Sequence, residues 1–169
     1  MNILGVDPGP DKTAFVLYDF NMEDYKRSRV TDWSNDCLNK DLFYHFSKLE
    51  IDQVGCESIV CYGKAVGRTT FETAYMVGRV QQWADERSIP NGIVSNPEIR
   101  LQLCRTTRAG ASESRRAILD RFPRTGGGKT PEIGTKGQQG PLYGMAGNHM
   151  WSAFAVAVYY SDKIMGLTV

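Results

Sequence analysis

The chain of 169 residues has only two histidines, and its four cysteines (Cys37, Cys56, Cys61, Cys104) include no C-x-x-C pair. That scarcity argues against a zinc cluster, which needs thiolate or imidazole ligands at close spacing. The cysteines read as buried free thiols in a reducing compartment rather than as disulfides, because free cysteine behaves as a small hydrophobe. Long apolar runs are missing as well. The most apolar stretch, residues 150–160, falls far short of the roughly 20 residues that a membrane helix requires. The first residues, Met1-Asn2-Ile3-Leu4-Gly5-Val6-Asp7, have neither the basic flank nor the apolar length of a secretory leader. A soluble, cytoplasmic protein with no membrane partner is expected. No internal repeat and no linker interrupts the chain, and its length suits one domain over 1–169.

Net charge is close to balance at +1, but it is unevenly spread. Residues 1–99 carry 10 basic and 15 acidic side chains, whereas residues 100–136 carry nine basic side chains against Glu113, Asp120 and Glu132. A split of this size suggests a polyanion on one face of the molecule, although a solvated basic helix would read the same way.

Pattern and punctuation give the elements. Residues 2–7 form a short apolar strand stopped by Pro8-Gly9-Pro10-Asp11. Strands over 13–19 and 27–33 follow, closed into an antiparallel hairpin through 21–25. Leu38, Leu42, Phe46 and Leu49 recur at helical spacing and predict a helix over 39–50. A strand over 53–60 holds one acid, Glu57, among apolar neighbours. Beyond the turn at 62–67 come a long helix over 69–87, a short strand over 93–95, and a helix opened by Pro97. Another helix spans 112–122, capped near Ser112. The glycine-rich segment 124–147 reads as a flexible loop. The last helix, 148–164, is apolar nearly all round, which predicts burial against a sheet. The order belongs to the α/β class, with a mixed central β-sheet of about five strands flanked by α-helices.

Two acids stand out. Asp7 ends a buried strand just before a Pro-Gly turn, at the carboxyl end where α/β sheets keep ligand sites. Glu57 sits among Val54, Gly55, Ile59 and Val60, where an ionised carboxylate is costly to bury without a cation or partner. Two such acids on neighbouring strands suit Mg²⁺, a hard cation that takes oxygen ligands. Each alone also fits a plainer role, Asp7 as a turn or cap residue and Glu57 as an outward-facing strand position.

Several segments together resemble the RuvC-type Holliday-junction resolvases of the RNase H-like superfamily, particularly bacteriophage-type members. Asn2-Ile3-Leu4-Gly5-Val6-Asp7-Pro8-Gly9 is similar to the family's first strand, and Val54-Gly55-Cys56-Glu57 to the strand bearing its second acid. Ser95-Asn96-Pro97-Glu98-Ile99-Arg100 and Gly110-Ala111-Ser112-Glu113-Ser114-Arg115-Arg116 resemble its proline-led turn and basic helix. Gly140-Pro141-Leu142-Tyr143-Gly144, then His149-Met150-Trp151-Ser152-Ala153-Phe154, resemble the approach to its final helix and that helix itself. The resemblance implies an RNase H-like fold and a structure-selective endodeoxyribonuclease for four-way junctions, acting as a homodimer. It implies Asp7, Glu57 and His149 as catalytic metal ligands holding two Mg²⁺ ions, with Mn²⁺ as the alternative.

The family usually carries a second metal-site side chain one turn after the first on the last helix, commonly an aspartate. Here that position is Ser152, which keeps the face but supplies no charge. A one-metal variant, a ligand from Asn148 or Glu72, and a non-catalytic junction binder therefore stay open. So does an RNase H-like nuclease for another nucleic acid. Asp162 is about 20 Å along the helix axis from His149 and cannot substitute. Substrate binding is expected from Arg100, Arg105, Arg108, Arg115 and Arg116 on phosphates, with Tyr62 and Lys64 probing an opened junction. Two rival motifs fail. Asp7-Pro8-Gly9-Pro10-Asp11-Lys12-Thr13 resembles the first phosphate loop of actin-like kinases, which need a second lobe. Gly126-Gly127-Gly128-Lys129-Thr130 lacks the first glycine and preceding strand of a P-loop.

Overall fold

Five strands assemble around Asn2–Asp7 (β1) in a computed structural model that describes residues 1–61, 63 and 65–168. β1 pairs antiparallel with Lys12–Asp19 (β2), and β2 with Arg29–Leu38 (β3). On its other side β1 pairs parallel with Gln53–Ser58 (β4), and β4 with Asn91–Ser95 (β5). The order is β3-β2-β1-β4-β5, a mixed sheet with β1 at its centre. Both faces of β1 are buried, which is why its sequence is apolar almost throughout.

Alternation along the strands divides the core into two layers. Leu4, Val6, Val54 and Cys56 face one side, against Leu42–Phe46 (α1) and Arg68–Asp85 (α2). Ile3, Val16, Tyr18 and Val94 face the other, against Asn96–Cys104 (α3), Ala111–Leu119 (α4) and Asn148–Ile164 (α5). α5 lies directly over β1, β2 and β4, as its all-round apolar sequence predicts.

The predicted helix over 39–50 shortens to α1. Asn39 is spent on the turn after β1, where its side chain accepts from Thr13 Oγ1 at 2.7 Å and donates to the carbonyls of Gly9 and Pro10, each at 3.0 Å. The third strand starts later and runs longer than 27–33, because a 3-10 turn at Tyr25–Arg27 takes its predicted first residue. β4 stops at Ser58 rather than at residue 60. Of the cysteines, Cys37 and Cys56 are buried, but Cys61 is exposed and Cys104 half-buried; all four are free.

The segment 124–147 contains no named helix or strand. Its backbone is knitted by bonds from Gly126 N to Pro131 O (2.8 Å), Gly127 N to Gln138 O (2.9 Å) and Gly140 N to Ile133 O (2.9 Å). Val30 N of β3 donates to Pro141 O at 2.9 Å, and Leu142 is fully buried, so the segment is tied to the sheet edge just before α5. Gly147, at φ +75°, makes the left-handed turn into α5 beside Asn35 of β3. No helix among the described residues is long and apolar enough to cross a membrane.

Candidate functional site

Two glycines bring α5 onto the sheet. Gly5 of β1 and Gly55 of β4 are in register, and both lie beneath α5. A Cβ on Gly5 would overlap the Ala153 carbonyl, and one on Gly55 would enter the Tyr160 ring and Val156. Two residues further along each strand, about 7 Å, come Asp7 and Glu57 on the same face. Four residues back along α5, about 6 Å, Ala153 leads to His149 and Val156 to Ser152. The matched steps bring His149 to Asp7 and Ser152 to the neighbourhood of Glu57.

His149 Nδ1 lies 2.9 Å from Asp7 Oδ2. The Asp7 side chain is 16% exposed and the imidazole 73%, so one edge of the ring is anchored on a sunken carboxylate while the rest meets solvent. Burial pushes Asp7 above the ordinary carboxylate range, and the hydrogen bond and charge of His149 partly offset this. Glu57 is pushed up to about 6, first by burial and then by the charge of Asp7, against lowering by Asn96, Arg100 and His149. The two acids therefore sense each other across adjacent strands.

Glu57 Oε1 accepts a hydrogen bond from Asn96 Nδ2 at 2.8 Å, whereas Oε2 is buried without a partner. Asn96 had no signal of its own in the sequence. It opens α3, where Ser95 and Glu98 form a capping box, with Ser95 N donating to Glu98 Oε2 at 2.8 Å. The cap fixes the helix start, and the helix start aims Asn96 at Glu57.

A cleft of about 330 Å³ runs between Asp7 and Glu57 and is lined by Asn96 and Arg100. Beside it, a 380 Å³ cavity between α3, α4 and α5 also reaches Glu57 and is lined by Ser152, Asn148 and Arg115. Among the described residues, no three of His, Cys, Asp and Glu stand together as a ready metal-binding group. Glu72 pairs with Arg68 at 2.6 Å and lines neither cleft. Asp162 is buried in an ion pair with Arg121 at 2.8 Å and a hydrogen bond from Gln102 at 2.8 Å.

Of the basic residues singled out by sequence, Arg100, Arg115 and Arg116 line the cavity beside Glu57. Arg105 and Arg108 are exposed on the α3–α4 connection, outside both clefts. Arg121 and Arg124 are committed to Asp162 and Glu132. Tyr62 and Lys64 lie outside the described residues.

No known family profile matches the chain, and no curated protein matches it in sequence. Solved structures do match in fold. The structure of Thermus thermophilus RuvC in complex with a Holliday junction substrate superposes with a TM-score of 0.72 at 13% identity, covering 99% of this chain and 98% of that one. The yeast mitochondrial Holliday junction resolvase Ydc2 gives 0.59 at 12% identity, covering 98% and 81%. The fowlpox virus Holliday junction resolvase gives 0.50 at 10% identity, covering 97% and 99%. The five-stranded mixed sheet with helices on both faces is thus the RNase H-like fold in its RuvC form.

Proposed function

We propose that this chain is a metal-dependent endodeoxyribonuclease selective for branched DNA, with the four-way Holliday junction as its principal substrate. The observation that carries the reading is the pair of sunken carboxylates, Asp7 and Glu57, at the carboxyl ends of β1 and β4, with His149 bonded to Asp7. The fold shared with three resolvases, one of them bound to its junction, supports it.

The residues fit a hard cation. Glu57 Oε2 is a buried oxygen with no protein partner among the described residues, next to a second sunken carboxylate, and a cation there would offset the burial that disfavours the ionised form of both acids. With only these two acids, Mg²⁺ or Mn²⁺ would complete its shell with water and phosphate oxygens, as Mg²⁺ commonly does. Bound there, it would make water a better nucleophile and neutralise charge on the phosphate. Asp7 and Glu57 hold and orient. In the tautomer that donates its Nδ1 proton to Asp7, the exposed ring of His149 keeps Nε2 as an acceptor that can take a proton from the attacking water. Ser152 adds no charge, which favours one firmly held ion over two. Arg100, Arg115 and Arg116 bind backbone phosphates without reading sequence. Paired cuts across a junction require two sites, so the working form is a homodimer.

The missing third acid gives one further reading some support, a junction binder that no longer cuts. A single assay separates the two. Four-way junction, flap, duplex and RNA–DNA hybrid are each incubated with the protein and Mg²⁺ or Mn²⁺. Selective nicking of the junction is expected, and Asp7→Asn should abolish it while leaving junction binding intact. Binding without nicking under either metal would leave the binder reading. Undiminished nicking by Asp7→Asn would remove Asp7 from the mechanism.

A further inference from the structure

Each of the two acids is held at one oxygen by the start of a helix. Asp7 Oδ2 meets Nδ1 of His149, the second residue of α5, at 2.9 Å. Glu57 Oε1 accepts from Nδ2 of Asn96, the first residue of α3, at 2.8 Å. An ionised carboxylate only accepts, so the amide turns its nitrogen and not its oxygen toward Glu57. Among the described residues no other side chain bonds the Glu57 carboxylate, and Oε2 has no partner.

Asn96 stands on a rigid frame. β5 runs parallel to β4 with Val94 opposite Glu57 and Ser95 opposite Ser58, so α3 begins directly beside the acid. Val94 before it and Ile99 after it are buried in the core. Pro97 restricts the first turn, and the Ser95–Glu98 capping box closes it. Asn96 also lines both cavities that reach Glu57. A neutral donor fixed in this way sets the orientation of an acid and decides how many of its oxygens remain to be given.

That number matters to a cation. Ca²⁺ takes more oxygens than Mg²⁺ and often both from one carboxylate, whereas Mg²⁺ keeps a small octahedral shell. Mn²⁺ accepts the same octahedral oxygen set. We infer that Asn96 is a positioning residue that sets the ion selectivity of the site: by bonding Glu57 Oε1 it leaves Oε2 as the one oxygen Glu57 can give, which favours Mg²⁺ or Mn²⁺ over Ca²⁺. The inference rests on the metal-dependent reading of Asp7 and Glu57, but its test involves no cleavage.

Full-length protein without DNA is titrated calorimetrically with MnCl₂ and, separately, with CaCl₂, and melting curves in EDTA report folding. Wild type should bind Mn²⁺ more tightly than Ca²⁺, and Asp7→Asn should weaken both, which locates the measured ion. Asn96→Ala should bind Mn²⁺ about tenfold more weakly while its affinity for Ca²⁺ holds or rises. Asn96→Ser, whose shorter side chain stops short of Glu57 but keeps a polar helix start, should do the same. A merely structural Asn96 would lower the melting temperature and both affinities together, so an unchanged Mn²⁺-to-Ca²⁺ ratio in the variants overturns the inference. A wild type that prefers Ca²⁺, or whose Mn²⁺ binding ignores Asp7→Asn, overturns it as well. If wild type binds neither ion, the inference falls together with the metal-dependent reading. A protein that shows the Asn96 effect on Mn²⁺ yet nicks no junction keeps the positioning role and loses the nuclease.

Discussion

Replacing Glu57 by glutamine should stabilise the metal-free protein at pH 8, although it deletes a residue placed at the centre of the site. Glu57 ionises at about 6 in the fold against 4.5 ordinarily, chiefly because the charge is buried and Asp7 stands beside it. At about 1.4 kcal/mol per pH unit, keeping it ionised in the fold costs about 2 kcal/mol. Glutamine keeps the shape and an oxygen for Asn96 and carries no charge. Its amide nitrogen then takes the place of the unpartnered Oε2, which gives back part of the gain. A net 1–2 kcal/mol, or roughly 3–6 °C in Tm for a chain of this size, is the expected range.

The direction with pH follows from the same shift. Between about 4.5 and 6 the unfolded chain ionises Glu57 while the folded chain keeps it protonated, so metal-free stability falls as pH rises through that window. The advantage of Glu57→Gln should therefore be small at pH 4.5 and full at pH 8. Urea and thermal melts of both proteins in EDTA at the two pH values measure it. Adding Mn²⁺ at pH 8 should reverse the order, raising the melting temperature of the wild type and not that of the variant. A variant less stable than wild type at pH 8 in EDTA would refute the argument. So would an equal difference at both pH values.

Other perturbations test the frame around the site. Gly5→Ala would drive a methyl group into the Ala153 carbonyl and force α5 away from β1, at a cost of about 2 kcal/mol or more. Chemical denaturation should show that loss, and the His149 ring resonances should lose their dependence on Asp7. Arg121→Met leaves the Asp162 carboxylate buried without its ion-pair partner, a change expected to cost about 3 kcal/mol in urea unfolding. That variant should leave junction affinity in EDTA within about twofold of wild type, because Arg121 faces the core and not the cavity.

Much of the frame could be read along the chain. β1 and α5 announce themselves by continuous apolarity, because a central strand and the helix above it are wetted on neither side. Asp7 was conspicuous as an acid closing such a strand, and Glu57 as an acid inside another. The short α1 escaped because the apolar spacing of Leu38 to Leu49 cannot reveal that Asn39 is bound to a turn 30 residues earlier. Asn96 escaped for a similar reason. A polar residue before a proline is ordinary in any chain, and only the capped start of α3 aims it at Glu57. The charge of residues 100–136 was visible as a sum, but its division into arginines paired with Asp162 and Glu132 and arginines lining a cavity was not.

The sequence by itself determined the order and kind of most strands and helices, though not all their bounds, and that two carboxylates would lie in apolar surroundings. These are local matters, set by the period of the apolar residues and the chemistry of single side chains. Only the tertiary structure decided that the acids are neighbours, that His149 is bonded to Asp7, and that three of the arginines line a cavity beside Glu57. Those outcomes depend on β1 pairing parallel with β4 and on α5 lying against Gly5 and Gly55. Contacts between residues 142 positions apart leave no periodic trace in a linear sequence.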